Sequence, residues 1–218
     1  MSKVFPKLAK TITMAAKEGG PDPDVNAQLR MAIVNAKAQN MPKDNIEAAI
    51  KRASGKDAAA MTEINYEGKG PHGVMFFVEC ATDNSNRSVA NIKTIFSKAG
   101  GEVVPTGSLQ FLFERKAVVQ FQVPDALDID EVELALIDAG LEELEVDGAA
   151  AYAYGHFTSF GKLTQAAQDL GIELQKASLQ RRATSPVELT DAQMDEIEKL
   201  VDKLEDDEDV QAVFTNVA

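Results

Sequence analysis

Residues 117–157, "AVVQFQVPDALDIDEVELALIDAGLEELEVDGAAAYAYGHF", decide the fold. "AVVQFQV" alternates as a strand. Apolar residues then recur at helical spacing over about Ile129–Ala139, behind Asp128 as cap and with Glu131 three residues on. "LEELEVDG" and "AAAYAYG" return to the period of 2 that marks strands. A helix over about Phe160–Leu170, ended by Gly171, and a strand "ELQKASLQRRA" follow. The order βαββαβ is the split-βαβ or ferredoxin-like unit.

On its N-terminal side, "EINYEG" and "GVMFFVECAT" read as strands joined by "GKGPHG". "NRSVANIKTIFSKAGG" is a helix with Val89, Ile92, Ile95 and Phe96 inward. "SLQFLFERKAVVQFQV" reads as two strands, one passing to the next near Arg115–Ala117. On the C-terminal side, "SPVEL" leads to the helix "DAQMDEIEKLVDKLED", capped by Thr190 with Gln193, and to a strand "VQAVFTNV". Two strands, a helix and a strand cannot cover both faces of their own sheet and helix. Adding the terminal helix and strand makes a complete two-layer ββαβαβ unit. Residues 117–186 are therefore read as inserted in a discontinuous domain of residues 61–116 plus 187–218.

Residues 1–60 look all-helical. In "SKVFPKLAKTITMAAKEGG", Val4, Leu8, Ile12 and Ala15 recur on one face, and Lys3, Lys7, Lys10 and Lys17 occupy a stripe roughly 80° wide on the other. A second helix runs about Asn26–Gln39. The third lies in "NMPKDNIEAAIKRASG", residues 40–55, with Ile46, Ala49, Ile50 and Ala53 inward. Its start is either a capping box of Asp44 and Glu47 or Pro42 at the first helical position. The fold class expected is α+β in three domains: an N-terminal helical one and two ferredoxin-like two-layer ones, one inserted in the other.

The chain has 218 residues, 44% of them hydrophobic, which is enough for more than one domain. No apolar run approaches the roughly 20 residues of a membrane span, and "MSKVFPKLAK" lacks the apolar region of a signal peptide. The one cysteine, Cys80, cannot make an intramolecular disulfide, so a reducing cytoplasm is expected. The net charge of −13 is unevenly spread. Residues 1–60 hold 10 Lys+Arg against 6 Asp+Glu, whereas residues 119–218 hold 6 against 23. Such asymmetry is a prior for a nucleic-acid partner.

Motifs for catalysis are nearly absent. His72 and His156 lack metal-ligand spacing, and no HExxH, CxxC, GxSxG or Walker loop occurs. Catalytic residues, metal and cofactor are all expected to be none. "GKGPHG" matches G-x-G-x-x-G, but a strand follows where a dinucleotide site needs a helix, so it reads as a turn. Cys80 reads as a small buried hydrophobe. "ATDNSNRSV" precedes a helix whose first turn carries Arg87. Either Asn84, Ser85 and Asn86 simply cap that helix, or Arg87 invites an anion such as phosphate. Lys3, Lys7, Lys10 and Lys17, with Lys51, Arg52 and Lys56 at the third helix's end, are candidate phosphate contacts. Such contacts do not separate DNA from RNA.

Four stretches resemble the YebC family of bacterial proteins: "AAKEGGPDPDVNAQLRMAIVNAKAQNMPKDNIEAAIKRASG", "YEGKGPHG", "ATDNSNRSVANIKTIFSKAGG" and "TGSLQFLFERK". The resemblance implies three domains, with the third inserted in the second. It also implies a non-catalytic regulator of gene expression, because members are described as DNA-binding transcriptional regulators. The family includes the mitochondrial translational activator of cytochrome c oxidase, and bacterial relatives are tied to translation of proline-rich stretches on the ribosome. Typical members begin with a basic arm, near whose end this chain starts, so weaker autonomous DNA binding is expected.

DNA or RNA, including ribosomal RNA, is the expected partner. The acidic C-terminal part should face away from it or meet a basic protein such as a ribosomal one. The alternative is a protein-interaction module that acts through this acidic part without nucleic acid. Membrane association is not expected, and the sequence leaves the oligomeric state open.

Overall fold

The computed structural model describes residues 3–218. Its elements are α1 (Val4–Gly19), α2 (Ala27–Ala38), α3 (Lys43–Arg52), α4 (Lys56–Ala60), β1 (Thr62–Lys69), β2 (Met75–Thr82), α5 (Ser85–Lys98), β3 (Glu102–Val104), β4 (Phe113–Gln122), α6 (Ile129–Ile137), β5 (Leu141–Asp147), β6 (Ala150–His156), α7 (Phe160–Asp169), β7 (Leu174–Ala183), α8 (Asp191–Glu205) and β8 (Val210–Thr215). They form two compact units. One comprises Lys3 with Ala59–Glu114 and Arg181–Ala218; the other comprises Val4–Ala58 and Arg115–Gln180.

In the first unit the sheet order is β3-β1-β2-β8, with antiparallel pairing throughout. The hairpin partners β1 and β2 are its central strands, so its order differs from that of the second sheet. Phe76, Val78 and Cys80 point to one face, where Ile92 and Phe96 of α5 and Ile197, Leu200 and Leu204 of α8 complete the core. Cys80 is thus a buried core residue. The chain enters the sheet through α5 and α8, whose caps are local: Asn84 accepts from the Arg87 N–H, and Thr190 and Gln193 form a reciprocal capping box. On the opposite face Phe77 meets Phe113 edge-on, and the Arg181 guanidinium lies 4.0 Å from the Phe77 ring centroid while donating to Glu79 at 2.9 Å.

"GKGPHG" is a tight turn between β1 and β2. A Cβ at Gly68 would meet the Phe96 ring at 2.5 Å, and one at Gly70 would meet Phe76 at 2.5 Å. These glycines make room for aromatic packing, and the dinucleotide pattern is incidental. The expectation of two strands in residues 108–123 needs correction. Gln110–Leu112 is a helical turn, β4 is one continuous strand, and the third strand of this sheet is β3, just after Gly101. A Cβ at Gly101 would lie 2.3 Å from the Lys69 carbonyl, so glycine lets the chain close onto β1 there. The buried Glu67 then holds residues 107–109 by accepting from the Gly107 and Leu109 N–H groups.

In the second unit the sheet order is β5-β6-β4-β7, the ferredoxin-like arrangement. Ala117, Val119, Phe121, Ala151 and Ala153 face α6 and α7, which contribute Val132, Leu136, Phe160 and Leu163. Met31 of α2 belongs to the same core. Asn35 of α2 pairs with both backbone groups of Ala177, covering an edge strand that would otherwise be open. The helical segment has its own small-residue core of Ile12, Ala15, Ala16, Leu29, Ala32, Ala36, Ile46 and Ala49. The capping box suggested by Asp44 and Glu47 does not form. Pro42 holds the cap position with no side-chain hydrogen bond, and Glu47 pairs instead with Lys43 at 3.5 Å.

Candidate nucleic-acid interface

The lysine stripe of α1 divides into two halves. At its N-terminal end, Lys3 Nζ donates to the Asp206 carbonyl at 2.6 Å and lies 4.0 Å from the Asp206 carboxylate. Lys7 and Lys10 are half-buried, and both already have a polar partner. These three positions follow the helical repeat, and each, like Lys17, has a contact within the protein.

Lys17 belongs to a different neighbourhood. One turn before it, Thr13 Oγ1 donates at 2.7 Å to the carbonyl of Ala49, in the last turn of α3. The last four carbonyls of a helix have no partner within it, so Thr13 satisfies one of them. Thr13 and Lys17 are four residues apart and share a face. Lys17 lies one turn beyond Thr13 on α1, while Lys51 and Arg52 occupy the last turn of α3 and Lys56 opens α4. Lys51, Arg52 and Lys56 are exposed, and among the described residues none of the three is ion-paired. Cations there oppose the negative end of the helix dipole, so folding does not require a carboxylate partner for them.

Arg87 is placed differently. It donates to Asp209 through Nε at 3.2 Å and Nη2 at 2.8 Å, and to Asp83 at 2.9 Å. The side chain of Asp209 is 4% exposed. Its hydrogen bonds, then its charge, and then those of Asp83 raise the Arg87 pKa further above its usual value. The cation in the first turn of α5 thus answers a buried acid of the chain itself, and the helix-cap reading of "ATDNSNRSV" accounts for Asn84.

Sequence reasoning missed both decisive contacts. Asp209 is 122 residues from Arg87, and Ala49 is 36 from Thr13. Among the described residues no group of three or more His, Cys, Asp or Glu side chains is arranged to hold a metal ion. His72 bonds to Glu196 at 2.9 Å, and His156 to Thr158 at 2.6 Å. Among the described residues, no helix is long and apolar enough to cross a membrane.

A family model described as the TACO1/YebC protein N-terminal domain matches residues 1–56, and one described as the TACO1/YebC second and third domain matches residues 61–217. A protein of Sulfurimonas denitrificans named a probable transcriptional regulatory protein is 59% identical over 218 residues, covering 100% of this chain and 92% of its own length. A Campylobacter jejuni protein with the same description is 58% identical over 217 residues, with the same coverages of 100% and 92%. Among solved structures, a conserved hypothetical protein of Aquifex aeolicus superposes with a TM-score of 0.86 at 32% identity, over 99% of this chain and 89% of that one.

Proposed function

The chain belongs to the TACO1/YebC family, and from that premise we propose that it is a nucleic-acid-binding regulator of gene expression that acts without catalysis. The observation that carries this reading is the exposed run of Lys51, Arg52 and Lys56 at the α3 end of a chain whose net charge is −13, with Lys17 one turn beyond the Thr13 that bonds that end. A phosphodiester backbone is the partner such a group fits, because it gains attraction without having to displace an internal carboxylate from three of the four cations. The names of the relatives, probable transcriptional regulatory proteins, support a role in transcription. The acidity of the remaining chain supports a site where basic protein lies beside the nucleic acid, as on a ribosome surface.

A salt titration tests the reading. Binding to a promoter-length duplex, and co-sedimentation with ribosomes, should both be measured from low to moderate salt with the native chain and with Lys51→Glu combined with Arg52→Glu. The expected result is steep weakening with salt for at least one partner, and loss of that binding in the double variant. Equal binding by the variant to both partners would remove the α3 end from any role in nucleic-acid contact.

A further inference from the structure

The inserted sheet has a second face that the proposed function does not use. Ala151 and Ala153 of β6 point into the core with α6 and α7, so Tyr152, Tyr154 and His156 point to the other side. The same alternation on β4 puts Lys116, Val118, Gln120 and Gln122 beside them. Tyr154 stands opposite Val118 on one side and Glu143 on the other, and Tyr152 stands between Gln120 and Glu145. Both rings are half-buried, and the Tyr154 hydroxyl donates to Glu145 Oε2 at 3.0 Å. Two tyrosine rings therefore stand about 7 Å apart along one central strand.

The surroundings of those rings are anionic. Glu142, Glu143, Glu145 and Asp147 are all exposed on β5, the strand at the end of the sheet order. Lys116 on the same face is bonded to Glu142 at 2.5 Å. Residues 117–180 hold 2 Lys+Arg against 12 Asp+Glu. An aromatic surface with this charge repels a phosphodiester. It also repels the β5 edge of a second copy, since like charges would meet directly across the pairing. What it does attract is a cation that can lie flat on a ring while bonding a carboxylate beside it, and an arginine guanidinium does both.

We infer that the Tyr152–Tyr154 face docks an extended arginine- and lysine-rich segment of a partner protein, its cations lying over the rings and against the β5 carboxylates. The site is separate from the α3 end and does not depend on nucleic-acid binding there.

The test uses the full chain and two labelled 12-residue peptides of equal charge, an Arg-Ser repeat and a Lys-Ser repeat, followed by fluorescence anisotropy at physiological salt. The Arg-Ser peptide should bind about fivefold more tightly than the Lys-Ser peptide. Tyr152→Ser with Tyr154→Ser should weaken the Arg-Ser peptide about tenfold and abolish the preference, whereas Tyr152→Phe with Tyr154→Phe should keep both. Glu143→Gln with Glu145→Gln retains the rings and should weaken both peptides alike, so the inference stays testable even if the serine variant fails to fold. Unchanged binding by the serine or glutamine variant would overturn it. So would an equal loss in Glu198→Gln with Asp202→Asn on α8, which would mean undirected charge attraction. A uridine-rich single-stranded RNA whose binding needs the two rings, or a dimer that the serine variant dissolves, would overturn it in favour of another occupant.

Discussion

Two of the helix ends that carry positive charge in this molecule handle it in opposite ways. At the start of α5, Arg87 lies where the helix dipole is already positive, and it is held by Asp83 and by the nearly buried Asp209. At the end of α3, Lys51 and Arg52 lie where the dipole is negative, a placement worth about 0.3–1 kcal/mol to a helix, and they need no carboxylate. A cation at the unfavourable end, matched by a buried acid, is a structural part. A cation at the favourable end is retained without an internal partner and keeps its field for something outside.

The largest expected effect breaks that contrast most directly. Lys51→Glu with Arg52→Glu should lower nucleic-acid affinity about thirtyfold at low salt and reduce the slope of log K against log salt by about 2. Arg87→Glu, measured the same way, should leave the affinity within about twofold. If the two variants changed places, Arg87 would be the contact and the α3 end a solvated surface.

A second prediction sharpens the structural side. Asp209→Ala should lower the melting temperature clearly more than Asp83→Ala does. Both acids bond the same guanidinium, but the side chain of Asp83 is 57% exposed and that of Asp209 only 4%. An exposed ion pair contributes little, whereas removing the buried partner leaves a desolvated site unfilled. In the Arg87→Ala background the same two changes should differ less, which a double-mutant cycle would read.

How far the sequence could be read follows the same division between local and distant partners. The pair Thr190 and Gln193 forms its capping box because both partners lie within one turn. The same spacing at Asp44 and Glu47 fails because Pro42 takes the cap and Lys43 takes Glu47, a competition that the motif alone does not encode. The βαββαβ order was legible from periodicity, most plainly in β6, whose residues alternate between buried and half-buried. β3 was not, because three residues carry no period and its place depends on Gly101 closing onto Lys69. The lysine stripe of α1 was legible as a stripe, but not as two halves: the contacts that divide it come from Asp206 and Ala49, far along the chain.

The link between α1 and the α3 end is itself testable. Thr13→Val keeps the shape of the side chain and removes the hydroxyl that donates to Ala49. It should cost about 1 kcal/mol, a fall of about 2–4 °C in the melting temperature of a chain this long. Affinity for nucleic acid should also fall modestly, about two- to threefold, because Lys17 loses its fixed register to Lys51 and Arg52. Loss of stability with full affinity would show that Lys17 is not part of the contact.

The smallest effect is expected at Lys3, and its smallness is informative. By helical repeat Lys3 is as good a phosphate contact as Lys17, since both fall within the same stripe. In the folded chain it points its ammonium at the Asp206 carbonyl and carboxylate, both at the surface. An exposed pair of this kind contributes at most about 0.5 kcal/mol, so Lys3→Ala should leave the melting temperature almost unchanged. It should also change nucleic-acid affinity by less than about twofold, because the charge is already largely offset by Asp206. Lys17→Ala, removing the same charge from the same stripe, should weaken binding by about fivefold. Equal effects at the two positions would mean that the whole stripe faces the polymer and that the contact to Asp206 gives way when it binds; unequal effects locate the interface at the α3 end.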